Sequence, residues 1–131
     1  MHLHRALFAG LLALVMAVGS LSALAAEWTP FTEAAFADAQ KEGKPILVHV
    51  FAPWCPVCKA QEPILQQLTE DPKFKDLVVF KIDFDTQKDA VRELNATSQS
   101  TLVVLKGSEE KGRSAGDTSA GSIKALLDQA L

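Results

Sequence analysis

The two cysteines of the 131-residue chain, Cys55 and Cys58, are separated by two residues and could do three kinds of chemistry. Such a pair can form a structural disulfide, bind a soft metal ion, or alternate between dithiol and disulfide during exchange with other thiols. A bridge that closes so small a loop constrains the unfolded chain little. The third strong soft-metal ligand beyond residue 26 is His49, and three ligands cannot close a tetrahedral structural site. These residues favour redox exchange, with carriage of copper or zinc by Cys55, Cys58 and His49 as the alternative.

The sequence around the cysteines predicts a junction between a buried strand and a helix. Residues 46–51 form a nearly continuous apolar, β-branched run, and residues 55–69 have helical spacing of apolar side chains. Cys55 would be the helix N-cap, with Pro56 at the first helical position, so its thiol would face unpaired backbone N–H groups that favour the thiolate. Cys58 would lie one turn further on the same face. We therefore predict Cys55 as the nucleophile and Cys58 as the resolving thiol.

The rest of the chain predicts an α/β fold with the order α-β-α-β-α-β-β-α. Helical patterns cover residues 32–41, with Thr32 as N-cap, residues 85–94, and the segment after Gly116. Strand patterns cover residues 77–84 and 101–106, and residues 108–114 can pair back on the latter as a hairpin. Strands that alternate with helices predict a central mixed sheet with helices on both faces and an antiparallel edge.

The first 26 residues have the layout of a secretory signal peptide. They carry one charged side chain, Arg5, followed by an uncharged run and by the small residues Ala23 and Ala25 at the cleavage positions. An uncleaved membrane anchor is the alternative, because residues 6–26 are 21 uncharged residues in a row. We expect residues 1–26 to direct export, most simply to a bacterial periplasm, and residues 27–131 to form one domain.

The composition of residues 27–131 excludes other classes of function. The formal net charge is −4, from 12 basic and 16 acidic residues, and no basic stripe is present to bind a phosphate backbone. Nucleic acid is therefore not an expected partner. The sequence has no phosphate-binding glycine loop, and we expect no cofactor.

Residues 46–65, which read ILVHVFAPWCPVCKAQEPIL, resemble the active-site strand, W-C-x-x-C-K motif and second helix of the thioredoxin family. Pro63 stands where that family has its helix-kinking proline, and the similarity extends from about residue 31 to residue 131. Residues 42–48 are also similar to the thioredoxin-like domains of exported thiol-disulfide interchange proteins. The resemblance implies the thioredoxin fold and a monomeric oxidoreductase that exchanges disulfides with protein partners and is served by a membrane thiol-disulfide electron donor.

The sequence departs from the family at the position beneath the second cysteine. The family usually has a buried acidic residue where this chain has His49, with a lysine on the neighbouring strand that is matched by Lys81. One hypothesis is that His49 is the general base for Cys58, titrating nearer physiological pH than a carboxylate would, with Lys81 tuning the site. The alternative is that His49 only satisfies a hydrogen bond in the core.

A second departure concerns the groove that the resemblance implies for substrate. Similar proteins have a cis-proline before the threonine that opens the next strand, whereas this chain has Ser100, so the peptide bond there is either trans or a strained cis bond. Ser100 could also be simply a tolerated loop residue. Val57 lacks the charge with which a histidine would stabilise the thiolate, which predicts a reductant or isomerase rather than a strong oxidant. The candidate substrate-binding residues are Trp54, Pro56, Val57, Gln99, Ser100 and Thr101.

Overall fold

The computed structural model describes residues 24–131, so the predicted secretory signal lies, apart from its last three residues, outside the described part of the chain. No helix in this described part combines the length and the apolar character that a membrane crossing requires.

A five-stranded mixed sheet with helices on both faces confirms the predicted fold class. The strand order is β1-β3-β2-β4-β5, in which β1 and β2 run parallel to β3, and β4 is antiparallel to both β2 and β5. The strands are β1 Glu27–Pro30, β2 Pro45–Phe51, β3 Val78–Asp83, β4 Thr101–Lys106 and β5 Glu109–Ala115. The helices are α1 Glu33–Lys41, α2 Pro56–Thr69, α3 Lys88–Glu93 and α4 Ala120–Asp128.

The central strand β2 is buried on both faces because its alternate residues pack into two separate hydrophobic cores. Ile46, Val48 and Val50 pack with residues of α1 and α3, whereas Leu47 packs with residues of α2 and α4. Burial of each such aliphatic side chain contributes about 1.5–3 kcal/mol. His49 shares the face of Leu47, so the polar residue of this strand lies under α2.

The first strand, β1, is absent from the sequence-based prediction. Its four residues show no apolar alternation, and it forms because its backbone pairs with a distant partner, β3. The N–H of Glu27 donates to the Leu77 carbonyl at 2.9 Å, and the N–H of Ala26 donates to the Thr69 carbonyl at 3.0 Å. The segment after α2 adds a short 3₁₀ turn, Pro72–Phe74.

The other predicted elements differ from the structure mainly at their ends. Thr32 is the N-cap of α1, as predicted, and its hydroxyl accepts a hydrogen bond from the N–H of Ala35 at 3.0 Å. Helix α3 begins three residues later than predicted, because the Asp83 carboxylate accepts from the N–H groups of Asp85 and Thr86 and stabilises a turn there. The helical pattern alone could not reveal this capping turn.

The β4–β5 hairpin turns through Gly107, whose φ is +57°. Its N–H donates to the Lys44 carbonyl at 2.8 Å, which ties the turn to the loop before β2. A Cβ at this position would lie 3.2 Å from the Gln40 carbonyl oxygen and 3.3 Å from the Cα of Gly43. The turn therefore needs glycine both for its backbone conformation and for close packing.

Candidate active site

The chain leaves β2 through a short turn that places Cys55 at the start of α2. The N–H of Cys55 donates to the Ala52 carbonyl at 3.1 Å, and the Sγ of Cys55 accepts a hydrogen bond from the N–H of Cys58 at 3.1 Å. Cys55 is the N-cap and Pro56 is the first helical residue, as predicted. The two cysteines form a disulfide with a Cα–Cα distance of 5.3 Å. The structure thus brings together the two predicted exchange residues at a helix N-terminus.

The disulfide is nearly covered, whereas two of its neighbours are exposed. Cys55 and Cys58 are 2% and 3% exposed, while Trp54 is 58% and Val57 38% exposed. The indole N–H of Trp54 donates to the Asp85 carboxylate at 2.7 Å, which fixes the orientation of the ring. An oriented aromatic and an aliphatic side chain therefore flank the sulfur atoms, as a contact surface for another protein would require.

His49 lies beneath α2 and is fully buried. Its Nε2 is 3.1 Å from the Oε1 of Gln61, a fully buried residue that the sequence analysis did not identify. Gln61 follows Cys58 by three residues, and both lie on the buried face of α2. A glutamine on the apolar face of a predicted helix, one turn from a reactive cysteine, was the signal that could have revealed it.

Burial lowers the pKa of His49 from 6.5 to about 4. The hydrogen bond with Gln61 and the negative charge of Glu62 act in the opposite direction, and the positive charge of Lys81 adds to the lowering. Desolvation of the imidazolium outweighs the favourable contacts, so His49 in the disulfide form titrates well below physiological pH. His49 is a neutral imidazole at neutral pH in the disulfide form, and its role as a general base stays a prediction.

Lys81 lies opposite His49 in the register of β3 and β2, on the same face of the sheet. Its Nζ is 2.9 Å from both carboxylate oxygens of Glu62 and 4.4 Å from the centre of the Phe51 ring. The ammonium group is therefore paired with an acidic residue of α2 that the sequence analysis also missed. Its influence on the imidazole is that of a neighbouring ion pair rather than of an isolated charge.

The segment before β4 shows which peptide-bond conformation this chain has at Ser100, where similar proteins have a cis-proline. Every peptide bond of the described residues is trans, and Ser100 has a positive φ of 60°. Its N–H donates to the Val50 carbonyl at 2.7 Å, and its own carbonyl accepts from Gly116 N–H at 3.0 Å and from Gln61 Nε2 at 3.1 Å. The strained cis alternative is therefore wrong, and Ser100 is part of the hydrogen-bond network beneath the site.

The other two candidate groove residues flank Ser100. Gln99 is half-buried, and its carbonyl accepts a hydrogen bond from the hydroxyl of Ser100. Thr101 is buried, and its hydroxyl donates to the carbonyl of Ser98 at 2.8 Å. The hydroxyl of Thr101 is therefore hydrogen-bonded within its own loop.

The metal-carrier alternative required Cys55, Cys58 and His49 to converge. Within residues 24–131, no three His, Cys, Asp or Glu side chains are grouped so that they could hold a metal ion. The cysteines are joined to each other, and the Nε2 of His49 faces Gln61. The proposed three-ligand set is therefore not assembled.

Comparisons with known proteins agree with this geometry. A family model described as Thioredoxin matches residues 27–129. The chain is 35% identical over 86 residues to a thioredoxin of Mycobacterium bovis, which covers 65% of this chain and 73% of that protein. It is 34% identical over 81 residues to the bifunctional thioredoxin reductase/thioredoxin of Mycobacterium leprae, which covers 62% of this chain but only 18% of that protein. The crystal structure of Trxlp from Edwardsiella tarda EIB202 superposes with a TM-score of 0.75 at 44% identity, covering 77% of this chain and 98% of that one.

Proposed function

Since this chain belongs to the thioredoxin family and is a thiol-disulfide oxidoreductase, we propose that it reduces or isomerises disulfides of exported protein partners through Cys55 and Cys58. The observation that carries this proposal is the disulfide at the N-terminus of α2, where a backbone N–H is directed at the Sγ of Cys55. The same N–H would stabilise a thiolate at Cys55 after reduction. Such helix N-terminal interactions contribute about 0.3–1 kcal/mol, and up to about 2 kcal/mol when partly buried.

In the reductive direction, the Cys55 thiolate attacks one sulfur of the partner's disulfide. A mixed disulfide forms, and the partner's other sulfur leaves as a thiolate. Cys58 then loses its proton and attacks the Sγ of Cys55, which breaks the mixed disulfide and releases the partner's second thiolate. The partner gains two electrons, and the Cys55–Cys58 pair loses two.

We assign to His49 the acceptance of the proton that Cys58 loses. The imidazole is hydrogen-bonded to Gln61, one helical turn after Cys58, and it is neutral before the step. A thiolate that forms at Cys58 adds a negative charge on the same buried face of α2, and a nearby opposite charge raises the pKa of a histidine. Transfer is therefore favoured during attack, and the proton later passes to the released thiolate or to solvent.

The chemical setting supports a reductant or isomerase more than a strong oxidant. The residue before Cys58 is the apolar Val57, which adds no charge to stabilise the Cys55 thiolate and so to raise the reduction potential. We expect a potential nearer to about −270 mV, as in thioredoxin, than to about −120 mV, as in the strong periplasmic oxidant. A redox titration against glutathione measures it, and a value near the second figure would contradict this direction of electron flow.

The leader sequence supports action outside the cytosol, in the bacterial periplasm, and we propose that the protein acts there as a monomer. In that compartment the Cys55–Cys58 disulfide needs a reductant at the membrane before each reductive cycle, because no soluble reducing buffer is maintained there. Intact-mass measurement of the protein recovered from cell fractions tests export. Recovery of the full-length chain in the cytosol would overturn this part of the proposal.

The central test is capture of partner proteins on a Cys58→Ser variant of the full chain. This variant keeps the nucleophile but lacks the resolving thiol, so mixed disulfides on Cys55 should accumulate and be released by dithiothreitol. Cys55→Ser is the matched control and should capture nothing. Insulin reduction should be lost in both variants. Equal capture by the two variants, or insulin reduction that survives in Cys55→Ser, would refute the assigned roles.

A further inference from the structure

The buried amide of Gln61 makes three hydrogen bonds at the junction of three elements. Its Nε2 donates to the carbonyl of Ser100 at 3.1 Å and to the carbonyl of Asp117 at 2.9 Å, before β4 and α4 respectively. Its Oε1 lies 3.1 Å from the Nε2 of His49 on β2. No other side chain of residues 24–131 connects the imidazole to the Ser100 loop.

These partners fix the orientation of the Gln61 amide. Backbone carbonyl oxygens only accept hydrogen bonds, so the NH₂ group must face Ser100 and Asp117. A flipped amide would place its oxygen against two other oxygens and its donor against the ring. The Oε1 therefore faces His49, and because this oxygen only accepts, the Nε2 of His49 must carry the ring proton.

A neutral imidazole has one N–H, so this tautomer leaves the Nδ1 of His49 as an unprotonated acceptor. The Nδ1 is buried and has no hydrogen-bond partner within the described residues. Buried polar atoms are rarely left unpaired in folded proteins. The exception here is on the ring that is hydrogen-bonded to Gln61, one helical turn after Cys58, in the state in which Cys58 is in a disulfide and has no proton to offer.

We propose that Gln61 is a positioning residue that holds His49 in the Nε2–H tautomer and thereby keeps the Nδ1 lone pair available to accept the proton of Cys58. The inference rests on the proposed function, in which Cys58 must lose a proton before it attacks Cys55. The proton moves from the Sγ of Cys58 to Nδ1, so the ring becomes an imidazolium with both nitrogens protonated. Its Nε2–H stays bonded to Gln61 throughout.

The charged groups around the ring do not replace this role. Glu62 of α2 and Lys81 of β3 are paired with each other on one side of the ring. The strand β4 places the apolar Leu102 opposite His49. Asp117 offers the network only its carbonyl, because its carboxylate accepts from the N–H of Ser119 and from the hydroxyl of Ser122. Among residues 24–131, Gln61 makes the one hydrogen bond to the ring.

The test measures the ring tautomer directly by ¹H–¹⁵N NMR of the labelled full chain. Wild type in the disulfide form should show His49 protonated at Nε2 and unprotonated at Nδ1. Gln61→Met keeps the length of the side chain but removes the acceptor, and the ratio of the two tautomers should shift by about fivefold, the effect of one lost hydrogen bond. Gln66→Met makes the same change on the exposed face of α2 and should leave the ratio unchanged.

A second readout follows the resolving step alone. A mixed disulfide between Cys55 and a coloured aromatic thiol releases that thiol when Cys58 attacks, and this release should slow in Gln61→Met, with a changed pH profile. Release at the wild-type rate and with the wild-type pH profile in Gln61→Met would overturn the inference.

The wild-type spectrum tests the inference even if Gln61→Met does not fold. A ring protonated at Nδ1 in wild type would refute the assigned tautomer. Failure of the proposed function has a different signature, because a wild type that does not reduce insulin could still show the Nε2–H tautomer. Conversely, full insulin reduction with the opposite tautomer would reject the role of Gln61 and leave the oxidoreductase function intact.

Discussion

Acid should destabilise this protein through the buried His49, and the sign follows from the direction of its pKa shift. The unfolded chain takes up a proton on this ring as the pH falls through 6.5, whereas the folded protein takes it up only near pH 4. Between these values the unfolded state binds more protons, so the free energy of unfolding falls as the pH falls. The contribution is fully present above pH 6.5, is lost through the window from 6.5 to about 4, and changes no further below it.

The size of the effect follows from the width of that window. Each pKa unit corresponds to 1.36 kcal/mol, so a shift from 6.5 to about 4 gives a loss of about 3 kcal/mol. The ring is fully buried, so solvent screening does not reduce this figure appreciably. Because a domain of this size is stable by about 5–15 kcal/mol, one side chain would remove a large share of the stability.

Urea unfolding of the oxidised full chain measures this loss between about pH 7.5 and pH 4, with His49→Leu as the matched control. Surface carboxylates also titrate at the acid end, but they are common to both proteins and cancel in the difference. His49→Leu also loses the hydrogen bond to Gln61, which shifts its free energy of unfolding by the same amount at every pH and adds no pH dependence. We expect the wild-type curve to fall towards the variant's by about 3 kcal/mol. Parallel curves would refute the assignment of His49 as a neutral buried ring.

Three further predictions concern the surroundings of the site and the turns. Glu62→Gln removes a charge that raises the pKa of the buried imidazole, and Lys81→Met removes one that lowers it. NMR titration should therefore give a lower pKa of His49 in the first variant and a higher one in the second. Shifts of equal sign would contradict this. Ser100→Pro should lower the urea midpoint and the free energy of unfolding by about 2 kcal/mol or more, because proline can neither adopt the positive φ nor donate a hydrogen bond to β2. A raised midpoint would show that the loop has another conformation. Gly107→Ala should lower the stability in thermal unfolding by about 1 kcal/mol more than Gly116→Ala does. Both glycines have positive φ, but only at Gly107 would a Cβ meet backbone atoms. Equal losses of stability would exclude the steric effect.

The parts of the fold that depend on neighbouring residues were predictable from the sequence. The N-caps Thr32 and Cys55 depend on hydrogen bonds to N–H groups three residues away, and both were predicted. The buried strand β2 was evident from its apolar run. Strand β1 was missed because its pairing with β3 joins residues about fifty positions apart, which no local pattern encodes.

The site shows the same division between local and distant effects. The thiol pair and the helix N-terminus were predicted from spacing, but the partners of His49 were not. Its pKa depends on how completely the surrounding elements exclude water, and the role of Gln61 depends on carbonyls that precede β4 and α4. Periodicity places a residue on a face, but it does not reveal which distant backbone groups that face will meet.

The strand order leaves β1 and β5 with one unpaired side each, and both are poorly suited to recruiting another strand. The edge strand β1 has only four residues and ends at Pro30, which has no N–H to donate. The other edge, β5, presents charged side chains along its length: Glu109, Glu110, Lys111 and Arg113. Short and charged edges discourage the growth of a sheet from one chain into the next. A protein that exchanges disulfides with other proteins can thus reach their sulfur atoms without offering its own sheet edges as a template for further strands.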